Sequence, residues 1–286
     1  MNTISYKPTG KDVAEYWEKG YWISPKLIDD DRIARLRHAL DRIFKNDFDG
    51  HGSLFDGPLK IPDDPLTMRR AINAWWINHE IRDMVLDPSI GRIAAVLMKA
   101  DRVRLWADQV IIKPGAGKAG TTKGGNIGWH QDAAYWHINS NCENMVTAWI
   151  ALQDTDLAIG GMRTLAQSHR WGLIRDSDKF YNPNLTSQRE YFEKKGLGPW
   201  IDEPCILKAG HASFHHSLCF HGSEDNKTNQ PRMSAIGHYM PDGATFTPSG
   251  KFQVFLRLLG PDPKPGMKFA EPAFPLVYPS QRPRPR

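Results

Sequence analysis

The 286-residue chain is 40% apolar and 24% charged, ordinary values for a globular protein able to bury a substantial core. Its net charge of +5 is mild, and apart from Arg282-Pro-Arg-Pro-Arg286 the basic residues are scattered, so no nucleic-acid-binding stripe or module is visible. No apolar run reaches membrane-spanning length, and three cysteines (Cys142, Cys205, Cys219) without CxxC spacing argue against a disulfide framework and a zinc knuckle. The start, Met1-Asn-Thr-Ile-Ser-Tyr-Lys-Pro, lacks the charged and apolar regions of a signal peptide, so a cytoplasmic location is expected.

In chain order, Asp29-Asp-Asp31 reads as a helix start. Ile33, Leu36, Leu40, Ile43 and Phe44 then keep helical spacing to about Lys45. Ile90, Ile93, Ala94, Leu97 and Met98 mark a second helix. From Arg102 the texture changes to short β-like runs: 102–106, 109–113, 146–152, 205–207, 212–216, 234–239 and 253–258. Helices first and many short strands afterwards predict an α+β fold, its strands forming a double-sheet jelly roll (double-stranded β-helix) with the helices packed outside. No internal repeat interrupts the chain, so one domain over 1–286 is expected. It comprises a helical part to about 100, a core from about 101 to 260, and a Pro-rich tail running extended over the surface. Asp176–Trp200 is polar and helix-permissive and reads as an insertion or lid.

Two constellations could carry chemistry. In Gly128-Trp-His-Gln-Asp132, an extended backbone would project His130 and Asp132 from one strand face, two adjacent corners of a metal site. A second histidine from elsewhere would complete a facial triad with open positions. Ala212-Ser-Phe-His-His-Ser-Leu-Cys-Phe-His-Gly-Ser223 offers His215, His216 and His221; strict alternation puts His215, not His216, on the face of His221. Further on, Arg232 and Ser234 share a strand face, a guanidinium fork beside a hydroxyl suited to a carboxylate.

Several ordered motifs resemble the phytanoyl-CoA dioxygenase family. They are Tyr16-Trp-Glu-Lys-Gly-Tyr21 ahead of the first helix, Asp108-Gln-Val-Ile-Ile-Lys-Pro-Gly115, Trp129-His-Gln-Asp132, Thr147-Ala-Trp-Ile-Ala-Leu152, Gly160-Gly-Met-Arg163 with Ser168-His169, Phe214-His-His216, His221-Gly-Ser223 and Arg232-Met-Ser234. The resemblance implies an enzyme that uses Fe(II), 2-oxoglutarate and O2 to hydroxylate, desaturate or cyclise a small molecule, yielding succinate and CO2. By the same resemblance His130, Asp132 and His221 bind the iron and Arg232 holds the distal carboxylate of 2-oxoglutarate. Gln109 and Trp149 line the cosubstrate pocket, and Thr147 and Ser234 are hydroxyl partners there. Asp132 fills the position that a halogenase leaves to halide, so halogenation is not expected. Where relatives often read Pro-Gly before Ser-His, this chain has Ala166-Gln167.

Tyr135, Trp136 and His137 directly follow the ligand pair and are expected to meet the substrate. His169, His211 and His238 read as structural. Gly115-Ala-Gly-Lys-Ala-Gly120 satisfies GxGxxG, but Thr121-Thr-Lys-Gly-Gly-Asn-Ile-Gly128 cannot open a helix behind it; a mobile loop beside the site fits better than a dinucleotide cradle. A zinc hydrolase with the same ligands is a rival, opposed by the Arg232/Ser234 pair. A cupin-like binding protein is another, opposed by the intact triad. Oligomeric state and substrate are not legible.

Overall fold

Thr9 and Asp12 form a reciprocal capping box that starts α1 (Gly10–Lys19), and Gly20, at φ 85°, closes it. α2 (Asp30–Ile43) is capped by Asp29 and buries Ile33, Leu36, Leu40 and Ile43 along one face. α3 (His79–Val85) follows under an Asn78 cap, and α4 (Pro88–Met98) under Asp87 with proline in its first turn. The computed structural model describes residues 5–50, 67–115, 125–177, 184–248 and 254–279.

The strands form two antiparallel sheets. The larger runs β1 (Tyr21–Ile23), β8 (Ala212–His216), β5 (Val146–Ala151), β10 (Arg232–Pro241), β3 (Val103–Lys113) and β11 (Leu276–Tyr278), with β2 (Arg69–Ile72) also pairing β3. The smaller runs β4 (Ile127–His130), β9 (His221–Ser223), β6 (Met162–Ala166) and β7 (Ile201–Pro204). Strand alternation divides the large sheet's faces. Val110, Ile112, Val146, Ala148, Ile150, Phe214, Met233 and Ala235 join the helices in one core. Ile111, Trp149, Ala151 and Ile236 pack on the other face with Met162, Cys205 and Leu207. Both faces are therefore covered, which is why β5, β8 and most of β10 are buried at every position. Each fully buried Leu, Ile or Phe of this kind stabilises by roughly 1.5–3 kcal/mol.

Several expectations are corrected. Tyr16-Trp-Glu-Lys lies inside the first helix, not ahead of it, because Thr9 rather than Asp29 supplies the first cap. The two runs at 102–106 and 109–113 are one strand, continuous through buried Asp108. The run at 205–207 follows β7 and is not a strand of its own: the Cys205 amide bonds the Met162 carbonyl, and Leu207 makes an isolated bridge to Thr155. The run expected as strand at 253–258 falls, from residue 254 on, in a 3-10 helix over Val254–Leu259, residue 253 lying outside the described residues. The C-terminal segment does not lie wholly on the surface. Phe269 and Phe274 are buried against Trp106, and β11 pairs with β3, because these apolar residues complete a core that the Pro-rich composition concealed. Among the described residues no helix is long and apolar enough to cross a membrane.

Candidate metal centre

β4 and β9 pair with His130 directly opposite His221, leaving their ring centroids 4.1 Å apart. The strand ends there. Gln131 keeps the extended backbone (φ −106°, ψ 132°), so Asp132 projects to the side of His130 as expected, and a 3-10 turn (Asp132–Tyr135) begins at Asp132 itself. Its Oδ1 lies 3.8 Å from Nε2 of both His130 and His221. One ligand atom from each residue falls within 4.8 Å of the others, and all three residues are buried. The Nδ1–H of His130 donates to the Gly128 carbonyl at 2.7 Å, and that of His221 to the Cys219 carbonyl at 3.0 Å. A carbonyl can only accept, so each ring carries its proton on Nδ1 and presents a bare Nε2 to the cluster.

Electrostatics favour the same state. Burial holds the His130 pKa below its usual value, and burial with the neighbouring His130 and His215 rings holds His221 well below. Burial works to raise the Asp132 pKa, but the surrounding His221, His215 and His238 rings outweigh it and keep the carboxyl well below the ordinary range. Two neutral imidazoles and a carboxylate converging at this spacing fit a divalent metal with positions left open.

Next to the cluster the cavity is walled by Gln109, Thr147, Trp149 and Arg232. Arg232 is 1% exposed, and its Nε and one terminal nitrogen find no hydrogen-bond partner among the described residues. Its guanidinium lies 5.2 Å from the Trp149 ring centroid. Burial lowers its pKa only to about 10, so it stays charged. Ser234, two residues on, is fully buried, and its hydroxyl too has no partner among the described residues. A buried cation and hydroxyl left unpaired are costly unless an anion completes them, which fits one carboxylate of a dicarboxylic acid.

Other residues fall less simply. Thr147 lines the cavity, but its hydroxyl donates to Oδ2 of Asp132 at 2.7 Å. His215 points at the site, its Nε2 3.5 Å from the same oxygen and both ring nitrogens without a hydrogen bond among the described residues. His216 faces the opposite side, against Tyr16 and Trp17, and its Nδ1 accepts from the Leu218 amide. Tyr135 is half-buried with its ring 6.0 Å from that of His130. His137 bonds the Ala134 carbonyl. Trp136, expected to meet substrate, is buried in a cluster with Trp106 and packs against the His238 ring at 4.8 Å, because the 3-10 turn carries it inward. His238, read as structural, lines the cavity; Lys113 was passed over and stands buried opposite Arg232 in the β3–β10 ladder. Long-range register placed both, and no local motif signals it. Most of the Gly115–Gly128 loop (116–124) and part of the lid segment (178–183) lie outside the described residues. The described remainder of that expected insertion or lid holds α5 (Leu185–Lys194), whose Gln188 amide pairs with both the N–H and C=O of Trp129 in β4.

Comparison with known proteins agrees. The chain is 24% identical over 250 residues to the ectoine dioxygenase of Streptomyces avermitilis, covering 80% of this chain and 77% of that one. The structure of the epimerase SnoN from nogalamycin biosynthesis in complex with Fe3+, α-ketoglutarate and nogalamycin RO aligns at TM-score 0.71 and 25% identity, over 93% of this chain and 97% of that one. EctD from S. alaskensis, with 2-oxoglutarate and 5-hydroxyectoine, shares the fold at TM-score 0.65 and 16% identity, over 89% and 85%. The family model described as phytanoyl-CoA dioxygenase matches residues 16–234, three-quarters of the sequence. On that match the chain belongs to the phytanoyl-CoA dioxygenase family, and it is an Fe(II)/2-oxoglutarate-dependent oxidoreductase.

Proposed function

We propose that this chain hydroxylates, or desaturates or cyclises, a small metabolite, and that its two sheets form the jelly roll of a single catalytic unit. The observation that carries the reading is the adjacency of two neutral imidazoles and a carboxylate to a buried arginine whose nitrogens are not all paired among the described residues. His130, Asp132 and His221 would hold Fe(II), and Arg232 with Ser234 would hold the distal carboxylate of 2-oxoglutarate. Bound there, Fe(II) and 2-oxoglutarate would activate O2, which is the oxidant, with succinate and CO2 as coproducts. The protein's own work is positioning. The Gly128 and Cys219 carbonyls fix the two imidazoles, Thr147 fixes the carboxylate, and Trp149 flanks the guanidinium. Tyr135 and His137, just past the ligands, are the candidates for meeting the substrate, with Trp136 acting through His238.

The test is succinate release from 2-oxoglutarate with Fe(II) and O2, first without and then with candidate small molecules. Release that requires Fe(II) and disappears in His221→Ala supports the reading. Fe(II)-independent activity that zinc sustains would indicate a hydrolase, and stoichiometric ligand binding with no succinate a binding protein.

A further inference from the structure

Behind Asp132 runs a chain of side-chain hydrogen bonds whose direction is forced. Thr147 Oγ1 lies 2.7 Å from Asp132 Oδ2, His238 Nδ1 lies 2.8 Å from Thr147 Oγ1, and Gln109 Nε2 lies 3.0 Å from His238 Nε2. An ionised carboxylate only accepts, so the single Thr147 proton goes to Asp132. The threonine oxygen must then accept from His238, which puts the imidazole proton on Nδ1. The neutral ring's Nε2 is therefore bare, and it accepts from the Gln109 amide nitrogen. That assigns the amide's orientation and leaves Gln109 Oε1 for the cavity that Gln109 lines. His238 is 3% exposed and Trp136 packs on its ring, so the imidazole is held in one place.

We propose that His238 is a positioning residue that links the metal side of the site to its cosubstrate wall. Through Nδ1 it locks the Thr147 hydroxyl onto Oδ2 and so keeps Oδ1 of Asp132 turned toward His130 and His221. Through Nε2 it holds the Gln109 amide with its carbonyl toward the cavity. The relay has no slack: reversing any one bond would set two donors or two acceptors face to face. It rests on the metal-site reading above and adds a division of labour between the two ring nitrogens.

Two substitutions separate those nitrogens. The amide nitrogen of His238→Asn stands where Nδ1 stood and can still donate to Thr147, but nothing accepts from Gln109. The amide oxygen of His238→Gln stands where Nε2 stood and can accept from Gln109, but the donor to Thr147 is gone. Anaerobic titration of the metal-free protein with Co(II), followed by visible absorption, reads metal affinity without turnover. We expect His238→Gln to weaken Co(II) binding about tenfold, the low end for an outer partner of a ligand, and His238→Asn to stay within about twofold of wild type. His238→Asn should instead raise the KM for 2-oxoglutarate in uncoupled succinate formation. Thr147→Val combined with His238→Gln should bind no more weakly than Thr147→Val alone, because both act through one chain. Equal weakening in the Asn and Gln variants, or a double variant whose loss is the product of the single losses, overturns the relay. Should His238→Gln not fold by thermal melting, the Asn variant decides alone: unchanged metal affinity with raised KM supports the proposal, and the reverse pattern refutes it. A wild-type chain that binds no Co(II) stoichiometrically removes the metal-site reading and the relay together, an outcome distinct from either of these.

Discussion

Lys113 and Arg232 stand directly opposite one another on neighbouring strands, 0% and 1% exposed. Burial and the adjacent guanidinium push the Lys113 pKa well below its ordinary value, and its amine bonds the Ser223 hydroxyl at 2.8 Å and the Glu224 carbonyl. Lys113 is thereby satisfied by the protein, whereas Arg232 is left with nitrogens to spend on a ligand. Arg232→Gln should raise the apparent KM for 2-oxoglutarate by about ten- to a hundredfold, the equivalent of roughly 1.5–3 kcal/mol for a charge-assisted contact. Arg232→Lys should recover part of this, since it keeps the charge and loses the fork. Anaerobic titration of the Fe(II) protein with 2-oxoglutarate is the measurement; an unchanged titration in Arg232→Gln places the anchor elsewhere.

A three-ligand centre has no spare donor, so His130→Ala, Asp132→Ala and His221→Ala should each abolish turnover and strongly weaken iron binding. His215→Phe should retain iron, because its Nε2 approaches only the outer oxygen of Asp132. Equilibrium dialysis against Fe(II) compares the four. Wild-type iron content in the His221 variant, with loss in the His215 variant, would exchange their roles.

Asp108 gives the fold a pH dependence of its own. It is fully buried and accepts from the Trp75 amide at 3.2 Å, and burial raises its pKa to about 7. The folded pKa lies above the unfolded value, so the contribution of this group is complete below about pH 4 and is lost as pH rises through about 7. In that window it should remove up to about 1.4 kcal/mol of stability per pH unit. Asp108→Asn cannot ionise, so the difference in melting temperature between variant and wild type should shift in the variant's favour from pH 5 to pH 8. A difference that is flat with pH would show that Asp108 does not titrate there.

Gln188 ties α5 to the strand that carries His130. Its amide accepts from the Trp129 N–H at 2.9 Å and donates to the Trp129 carbonyl at 3.2 Å, replacing a missing strand neighbour. Gln188→Leu strands two buried backbone groups and should cost roughly 1–3 kcal/mol for each left unsatisfied. Hydrogen exchange at Trp129 is the sensitive probe, and protection equal to wild type would contradict the anchoring role.

His130 with Asp132 and Arg232 with Ser234 could be picked out as candidates in the sequence because each is a local pattern, two residues apart on one stretch of backbone, whereas His221 was singled out from its neighbouring histidines only through the family resemblance. The helix at 30–43 was legible for a similar reason, since its cap and apolar stripe lie within one turn of each other. His238, Lys113 and Gln188 were not, because their partners lie 91, 110 and 59 residues away and only strand register or helix packing joins them. The 3-10 turn at 254–259 was misread as strand because a short apolar run fits either geometry.

The proposed metal ligands and the proposed cosubstrate wall belong to different sheets: His130 and His221 stand on β4 and β9, Trp149 and Arg232 on β5 and β10. A dicarboxylate chelated at one end and gripped at the other would therefore act as a rivet across the joint. Either component alone fastens to one plate. With both present, the melting temperature should rise by more than the sum of the two separate rises, since occupancy at a hundred times Kd is worth about 2.7 kcal/mol and the second ligand's Kd falls when the first is seated. The seam between the sheets would then be the place where heat first opens the empty protein and where the loaded protein holds longest.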